Sequence, residues 1–338
     1  MPVIVTLHVF SGRPDPTWLL PDDQAAAIEE RVAALQRHTL AKPPGALGRL
    51  GYRGFSLTRL RADAGRVPLD VYVHEGVVDR GSRLDVNAID ENREIEKLLL
   101  QSAGKSVAPE LHAEIEAEIR RAPQVVPPQP EPTAPPHPSS PAAALATPQG
   151  TAIERRAVPT DIEKRLWPWP WPWPVFVCPP CDAVDAPPYQ PGNWNIPAVQ
   201  PHNNCYNYAN NRITNTFAQP GHAHGHQYTQ LMTCTGNGAV EPAAVADGLK
   251  AVPNFTAALA HGKGYYVALV LWPGPFGASD FHWYRQDNGG CWSHKPGSWT
   301  VRNVDNNGNT ITDPHTAARG PYTIFCSYMV TGGGVVIN

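Results

Sequence analysis

The chain has 338 residues, only 17% of them charged, a formal net charge of -3, and 38 prolines and 28 glycines. That length accommodates two ordinary domains, and the small net charge gives no electrostatic footprint for a nucleic acid. No apolar run approaches the length of a membrane helix, so a membrane span is excluded from the expectations.

Residues 1–105 are expected to form a small α+β sandwich with helices on one face of a sheet. Val3 to Phe10 alternates and is β-branched, which predicts a first strand and not a cleavable leader. Without a leader the default is a cytoplasmic protein, or one exported by a leaderless route, with reduced thiols. Ser11-Gly-Arg-Pro-Asp-Pro16 follows, a loop fixed by two prolines. It reads either as a rigid turn or as a ligand loop in which Arg13 forks onto a carboxylate or phosphate. A helix is expected from Asp22 or Asp23 through Ala25, Ile28, Val32 and Leu35. Gly51 to Leu57 and Pro68 to His74 are predicted strands, and Asn87 to Leu100 a second helix.

Residues 106–187 read as a helix, a linker and a strap. Ala108 to Arg121 is a Glu-rich helix ending in two arginines, favourable at a helix C-terminus. Pro123 to Pro148 is too rich in proline and small polar residues to bury a core, which predicts a semi-stiff linker. Next come Trp167, Trp169, Trp171 and Trp173, alternating with prolines. Proline at every second position excludes a helix or an interior strand, leaving polyproline II. The indoles either strap this segment along the C-terminal domain or form a rail for a polysaccharide or protein partner.

All six cysteines lie in the C-terminal half. Cys178 and Cys181 have the spacing of half a zinc site or a redox pair, and His222, His224 and His226 alternate in a glycine-bounded run. Neither group has partners at a recognised spacing. A proline turn and a solvated loop are the competing readings, and no cofactor is expected.

Residues 188–338 form the second expected domain. Asn203 and Asn204 precede Cys205, and Tyr206, Ala209 and Ile213 recur at helical spacing, which predicts a capped helix with a thiol in its first turn. Such a thiol feels the positive end of the helix dipole. Helices are also expected at Ala243–Leu249 and Phe255–Ala260. The pattern then turns to strands. Tyr265 to Trp272 is a continuous apolar run, as in a central strand. Phe281 to Gln286 and Cys291 to His294 flank Asp287-Asn-Gly-Gly290, a hairpin signal. Val301 to Val304 and Thr310-Ile311 suggest another hairpin, and Tyr322 to Val330 a last strand. Trp283, Trp292 and Trp299 are either cleft walls or core.

The order of Cys205 on a helix, His282 on a later strand and His294 twelve residues on, across a turn, resembles the papain-like cysteine peptidase superfamily. The closest pattern is that of the NlpC/P60 cell-wall peptidases. The resemblance runs from Asn203 to Met329 and leaves out the first domain. It departs from the family pattern in having Asn204 and Tyr206 around the cysteine and Trp283-Tyr284 after the histidine. It implies a cysteine hydrolase of amide or peptide bonds, with a cell-wall peptide as one substrate class. Cys205 would be the nucleophile and His282 the base, with His294 the third member and Asp313 the alternative. Gln200 is a candidate oxyanion donor. Two other readings stay open. One is a catalytically inactive papain-like binding module, and the other a structural or interaction protein organised by the proline-rich tract.

Overall fold

The computed structural model describes residues 2–35, 37–39, 49–60, 66–79, 86–121 and 178–338. The Trp-Pro segment and the tract from Pro123 to Pro148 lie outside them.

The N-terminal part is built on a seven-stranded sheet of order β2-β1-β4-β5-β6-β7-β3. Its strands are β1 (Val3–Leu7), β2 (Thr17–Leu20), β3 (Arg37–Thr39), β4 (Phe55–Leu60), β5 (Arg66–His74), β6 (Val77–Asp79) and β7 (Val86–Ile89). Each adjacent pair is antiparallel. Alternation shows directly in β1, where Val3, Val5 and Leu7 are buried between half-exposed neighbours. Three helices accompany the sheet: α1 (Asp22–Ala34), α2 (Glu94–Ser102) and α3 (Pro109–Arg121). Ala25, Ile28 and Val32 of α1 are buried, as are Leu111, Ile115 and Ile119 of α3, one stripe each. The expected helix from Asn87 is corrected. Its first residues belong to β7, and α2 starts only at Glu94, after Arg93 adopts a left-handed φ of 54°. The Asp90 carboxylate accepts from Ile95 N at 2.7 Å and so restarts the chain as a helix.

The C-terminal part carries a five-stranded sheet of order β11-β10-β9-β12-β8. Its members are β8 (Lys250–Val252), β9 (Tyr265–Trp272), β10 (Asp280–Gln286), β11 (Trp292–His294) and β12 (Ile324–Thr331), again antiparallel throughout. Every residue of β9 and β10 is buried. Of the short helices α4 (Pro191–Trp194), α5 (Cys205–Ala209) and α6 (Val240–Ala246), α5 packs on β10 and β11 and α6 on β8, while Trp194 of α4 packs on Tyr208 of α5. The whole is thus an α+β arrangement of helices and antiparallel sheets. Residues 255–260 form no helix. Leu259 instead bridges Ala183, and the Ala257 carbonyl accepts from the Tyr266 hydroxyl at 2.6 Å.

Residues 2–121 and 178–338 belong to one compact unit, and a single apolar core runs through both parts. Phe10 meets Trp272 edge-on at 6.1 Å, and Asn306 pairs with the backbone N–H and C=O of Leu50.

Two disulfides, Cys178–Cys291 and Cys234–Cys326, correct the expectation of reduced thiols. Cys181 and Cys205 remain free.

Candidate active site

The run of asparagines around Cys205 is spent on building its setting. Asn204 caps α5, accepting from Tyr206 N at 3.0 Å and Asn207 N at 3.1 Å, while Asn207 Oδ1 accepts in return from Asn204 N. Asn203 accepts from Thr214 N and Asn215 N, tying down the following loop. The helix is shorter than its periodicity suggested. It ends at Ala209, Asn211 turns left-handed at φ 52°, and Ile213 is exposed. Five helical residues carry little macrodipole. Burial therefore dominates the Cys205 thiol, and with the nearby Asp280 carboxylate it pushes the pKa well above the ordinary thiol range. The amides of Trp283 and Tyr206 and the Lys295 ammonium pull only partly the other way.

His282 lies on β10 and His294 on β11. Tyr284 pairs with His294 in the sheet register, so the two histidines are diagonal neighbours on one face. His282 Nε2 and His294 Nδ1 are 2.9 Å apart, with the rings nearly perpendicular. His294 Nε2 lies 3.1 Å from the Val304 carbonyl. A carbonyl only accepts, so His294 must carry its proton on Nε2. Its Nδ1 is then an acceptor, and His282 must donate from Nε2. This assignment leaves His282 Nδ1 bare, and that atom is buried with no hydrogen-bond partner. Both imidazoles are held neutral by burial. His294 is lowered to about 4, and His282, which also feels His294 and Arg53, falls well below its ordinary value.

The thiol packs on the same strand. Cys205 Sγ is 4.0 Å from the Phe281 carbonyl, beside His282, while the Cys205–His282 hydrogen bond itself is not made. Cys205 and His282 are completely buried.

No family model and no solved structure matches the chain. It is 45% identical over 150 residues to insoluble matrix shell protein 1 of Ruditapes philippinarum, an alignment covering 44% of this chain and 93% of that protein. The chain belongs to the insoluble matrix shell protein 1 family. That relative's name puts it in the insoluble matrix of a shell, and more than half of the present family member lies outside the alignment.

The other candidate residues fall as follows in this family member. Asp313 is not at the imidazole pair. Its carboxylate accepts from the Tyr328 hydroxyl at 2.6 Å and from His315 N at 2.8 Å. The Gln200 side-chain amide donates to the Ser298 carbonyl at 3.3 Å, so it is already engaged. Trp283 and Trp292 are core, and Trp299 packs on His8 and Tyr72 of the N-terminal part. The metal candidates are not brought together. Cys178 is consumed by its disulfide, and the Cys181 thiol faces Gln286 Oε1 at 3.7 Å. His222 to His224 is a tight turn, so its alternation places no ligand set on one side. His224 pairs with Asp247 at 2.9 Å and His222 with the Asn338 carbonyl at 3.2 Å, while His226 is exposed. Among the described residues no group of three or more His, Cys, Asp or Glu is placed to hold a metal.

Two residues of the site were not foreseen. Lys295 is fully buried, and its Nζ donates to the carbonyls of Gln200 and Asn203 at 2.6 Å and of Gly297 at 2.7 Å. It thereby ties the segment before Cys205 to the end of β11, and burial lowers its pKa to about 7. A lysine directly after a strand that ends in a buried histidine was the signal available. Asp280, two residues before His282, accepts from Ser11 N at 2.5 Å, Arg13 N at 3.0 Å and the Tyr322 hydroxyl at 2.5 Å.

Proposed function

We propose that this chain is a cysteine hydrolase of the papain-like, NlpC/P60-like type, acting on amide or peptide bonds. The observation that carries this is the oriented series of Val304 carbonyl, His294 and His282, which leaves His282 Nδ1 bare on the strand against which Cys205 packs. In the working state the Cys205 proton passes to His282 Nδ1, and the thiolate attacks the carbonyl carbon. His282 returns that proton to the departing amine. A water molecule, deprotonated by His282, then cleaves the thioester and restores the thiol. His294 contributes by fixing the tautomer.

A second reading is favoured by the shell matrix relative, by the two disulfides and by the complete burial of the thiol. It is a stable matrix module that keeps the fold without turnover. The disulfides support an oxidising compartment under either reading.

Site-resolved alkylation of Cys205 against pH, with hydrolysis of a peptide library that includes cell-wall peptides, separates the two. The hydrolase reading expects cleavage that disappears in Cys205→Ala, and alkylation that persists at mildly acidic pH once the site is open. A folded, opened protein whose thiol titrates as an ordinary cysteine and which cleaves nothing would leave the matrix module.

A further inference from the structure

The loop between β1 and β2 sits on the Cys205 site. Ser11, Gly12 and Arg13 direct three consecutive backbone N–H groups at the Asp280 carboxylate, with Gly12 N 3.1 Å from Oδ2. The Gly12 carbonyl accepts from Asn204 Nδ2, the residue before the nucleophile, and from Gln219 Nε2, both at 2.8 Å. Gly12 is pressed close to the Phe281 ring, where a Cβ would strike three ring carbons. Arg13 clamps the far side, donating to the carbonyls of Ser279 and Phe276 with its guanidinium 4.3 Å above the Phe276 ring.

The loop holds its shape through its own part of the molecule. Asp15 Oδ1 accepts from Val9 N and Phe10 N, and the buried Arg53 donates to the Phe10 carbonyl at 2.7 Å. Its hold on Asp280 and Asn204 is made by backbone atoms of Ser11, Gly12 and Arg13, as an extended peptide is gripped, and the Arg13 side chain adds the clamp on Ser279 and Phe276. A carboxylate in a nest of backbone amides is a strong, directional latch.

We propose that the Phe10–Arg13 loop is a built-in plug that occupies the substrate approach to Cys205 and holds the site closed. The inference rests on the hydrolase reading and supplies its regulation. Ordinary domain packing needs no glycine pressed on the strand that carries the base, nor three amides gathered on one buried carboxylate. The closed and open forms are two states of one equilibrium, and weakening the latch raises the open population.

The test is alkylation by iodoacetamide read separately at Cys205 and Cys181 by mass spectrometry, on the full disulfide-bonded chain. Cys181 is partly exposed and serves as the internal reference. The variants are Gly12→Ala, which forces the loop off Phe281, and Arg13→Ala, which removes the clamp while leaving the packed core intact. The expected result is a Cys205 rate far below that of Cys181 in the unaltered protein, rising by about tenfold or more in both variants with Cys181 and near-UV circular dichroism unchanged. An equal Cys205 rate in the unaltered protein and in folded variants overturns the plug. If Gly12→Ala loses its fold, seen as lost near-UV signal, Arg13→Ala decides alone. Fast alkylation in the variants with the pH dependence of an ordinary thiol, titrating near about 8.5, and with no hydrolysis, leaves the plug standing and removes the hydrolase reading.

Discussion

Arg53 and Phe10 are joined by a buried hydrogen bond, Arg53 Nη2 to the Phe10 carbonyl at 2.7 Å. The same guanidinium donates to Gly51 O at 2.9 Å and Val9 O at 3.3 Å, and the Arg53 carbonyl accepts from the Tyr72 hydroxyl. Arg53 therefore sets the shape of the Phe10–Arg13 loop from a position without solvent. Arg53→Met keeps the volume of the stem but strands several carbonyls. It should cost about 2–4 kcal/mol, read from the urea midpoint at unchanged m-value, and should also speed Cys205 alkylation. A variant as stable as the original would mean that the carbonyls find other donors and that Arg53 does not shape the loop.

The acid limb of stability follows from buried neutral histidines. Burial lowers His74 and His294 to about 4, below the ordinary 6.5. Between those values the unfolded chain binds protons that the folded one refuses. Their contribution is thus present above pH 6.5 and lost as pH falls toward 4, at about 3 kcal/mol per histidine. Asp280 acts in the opposite sense. Burial raises it to about 6, so its contribution is fully present below the ordinary carboxylate value and is lost as pH rises through about 6. The two histidines outweigh one carboxylate. Denaturation midpoints should therefore fall from pH 7 to pH 4.5, and His74→Gln should flatten that slope. A stability independent of pH across this window would contradict the neutral-imidazole assignment, and with it the tautomer argument for His282.

Much of this fold was legible where one physical signal dominated. The continuous apolar run of β9 and the Asp-Asn-Gly-Gly turn between β10 and β11 needed only burial and turn chemistry. The stretches after Asn87 and Cys205 were misjudged because a left-handed residue, Arg93 or Asn211, interrupts an otherwise helical pattern; Arg93 is held locally by Glu96, whereas the Asn211 side chain accepts from the distant Arg285. The order and spacing of Cys205, His282 and His294 were legible. Lys295, Arg53 and Asp280 were not, because most of their partners are backbone groups; for Asp280 the backbone partners Ser11 and Arg13 lie nearly 270 positions away in the chain, and the Tyr322 hydroxyl lies 42 away. No local pattern marks such a bond in advance.

The disulfides close long loops, with sequence separations of 113 for Cys178–Cys291 and 92 for Cys234–Cys326. Chain entropy alone makes each worth about 4–5 kcal/mol against the unfolded state. Non-reducing peptide mapping should find these two pairs, with Cys181 and Cys205 as thiols. Reduction should lower Tm sharply, and a Cys234→Ser, Cys326→Ser double variant should reproduce much of the loss. An unchanged Tm after complete reduction would show that the unfolded chain gains little freedom from their absence.

His294 offers a sharper test of chemistry than of folding. In the hydrolase reading it acts only through His282, so His294→Phe keeps the stacking on Tyr284 but removes the acceptor for His282 Nε2. The released imidazole can then carry its proton on Nδ1, toward the thiol, where a base is needed. The expected loss is about 10²–10⁴-fold in kcat, with KM nearly unchanged and the acidic limb of the pH–rate profile displaced. His294→Asn, which restores an acceptor, should recover part of the rate. A loss confined to KM, or equal losses in both variants, would assign His294 to packing.

The last expectation concerns how the two parts of the chain cohere. The plug latch on Asp280, the Asn306–Leu50 pair and the Phe10–Trp272 contact all join residues before the proline-rich tract to residues after it. They sit in one apolar core, where removal of either side exposes large faces to water. A specific protease site inserted between Pro123 and Pro148, the stretch whose composition predicts a linker, should be cut without separating the fragments. The nicked protein should elute from size exclusion at the volume of the intact chain and keep its slow Cys205 alkylation. It should come apart only in denaturant, since no disulfide links the two fragments. Expressed alone, residues 178–338 should aggregate or bind hydrophobic dyes, because the face under Phe10 and Leu50 is then bare. Separation of the nicked fragments in native buffer would mean that the shared core contributes less than the tether, and Cys205 in the freed C-terminal fragment should then alkylate rapidly.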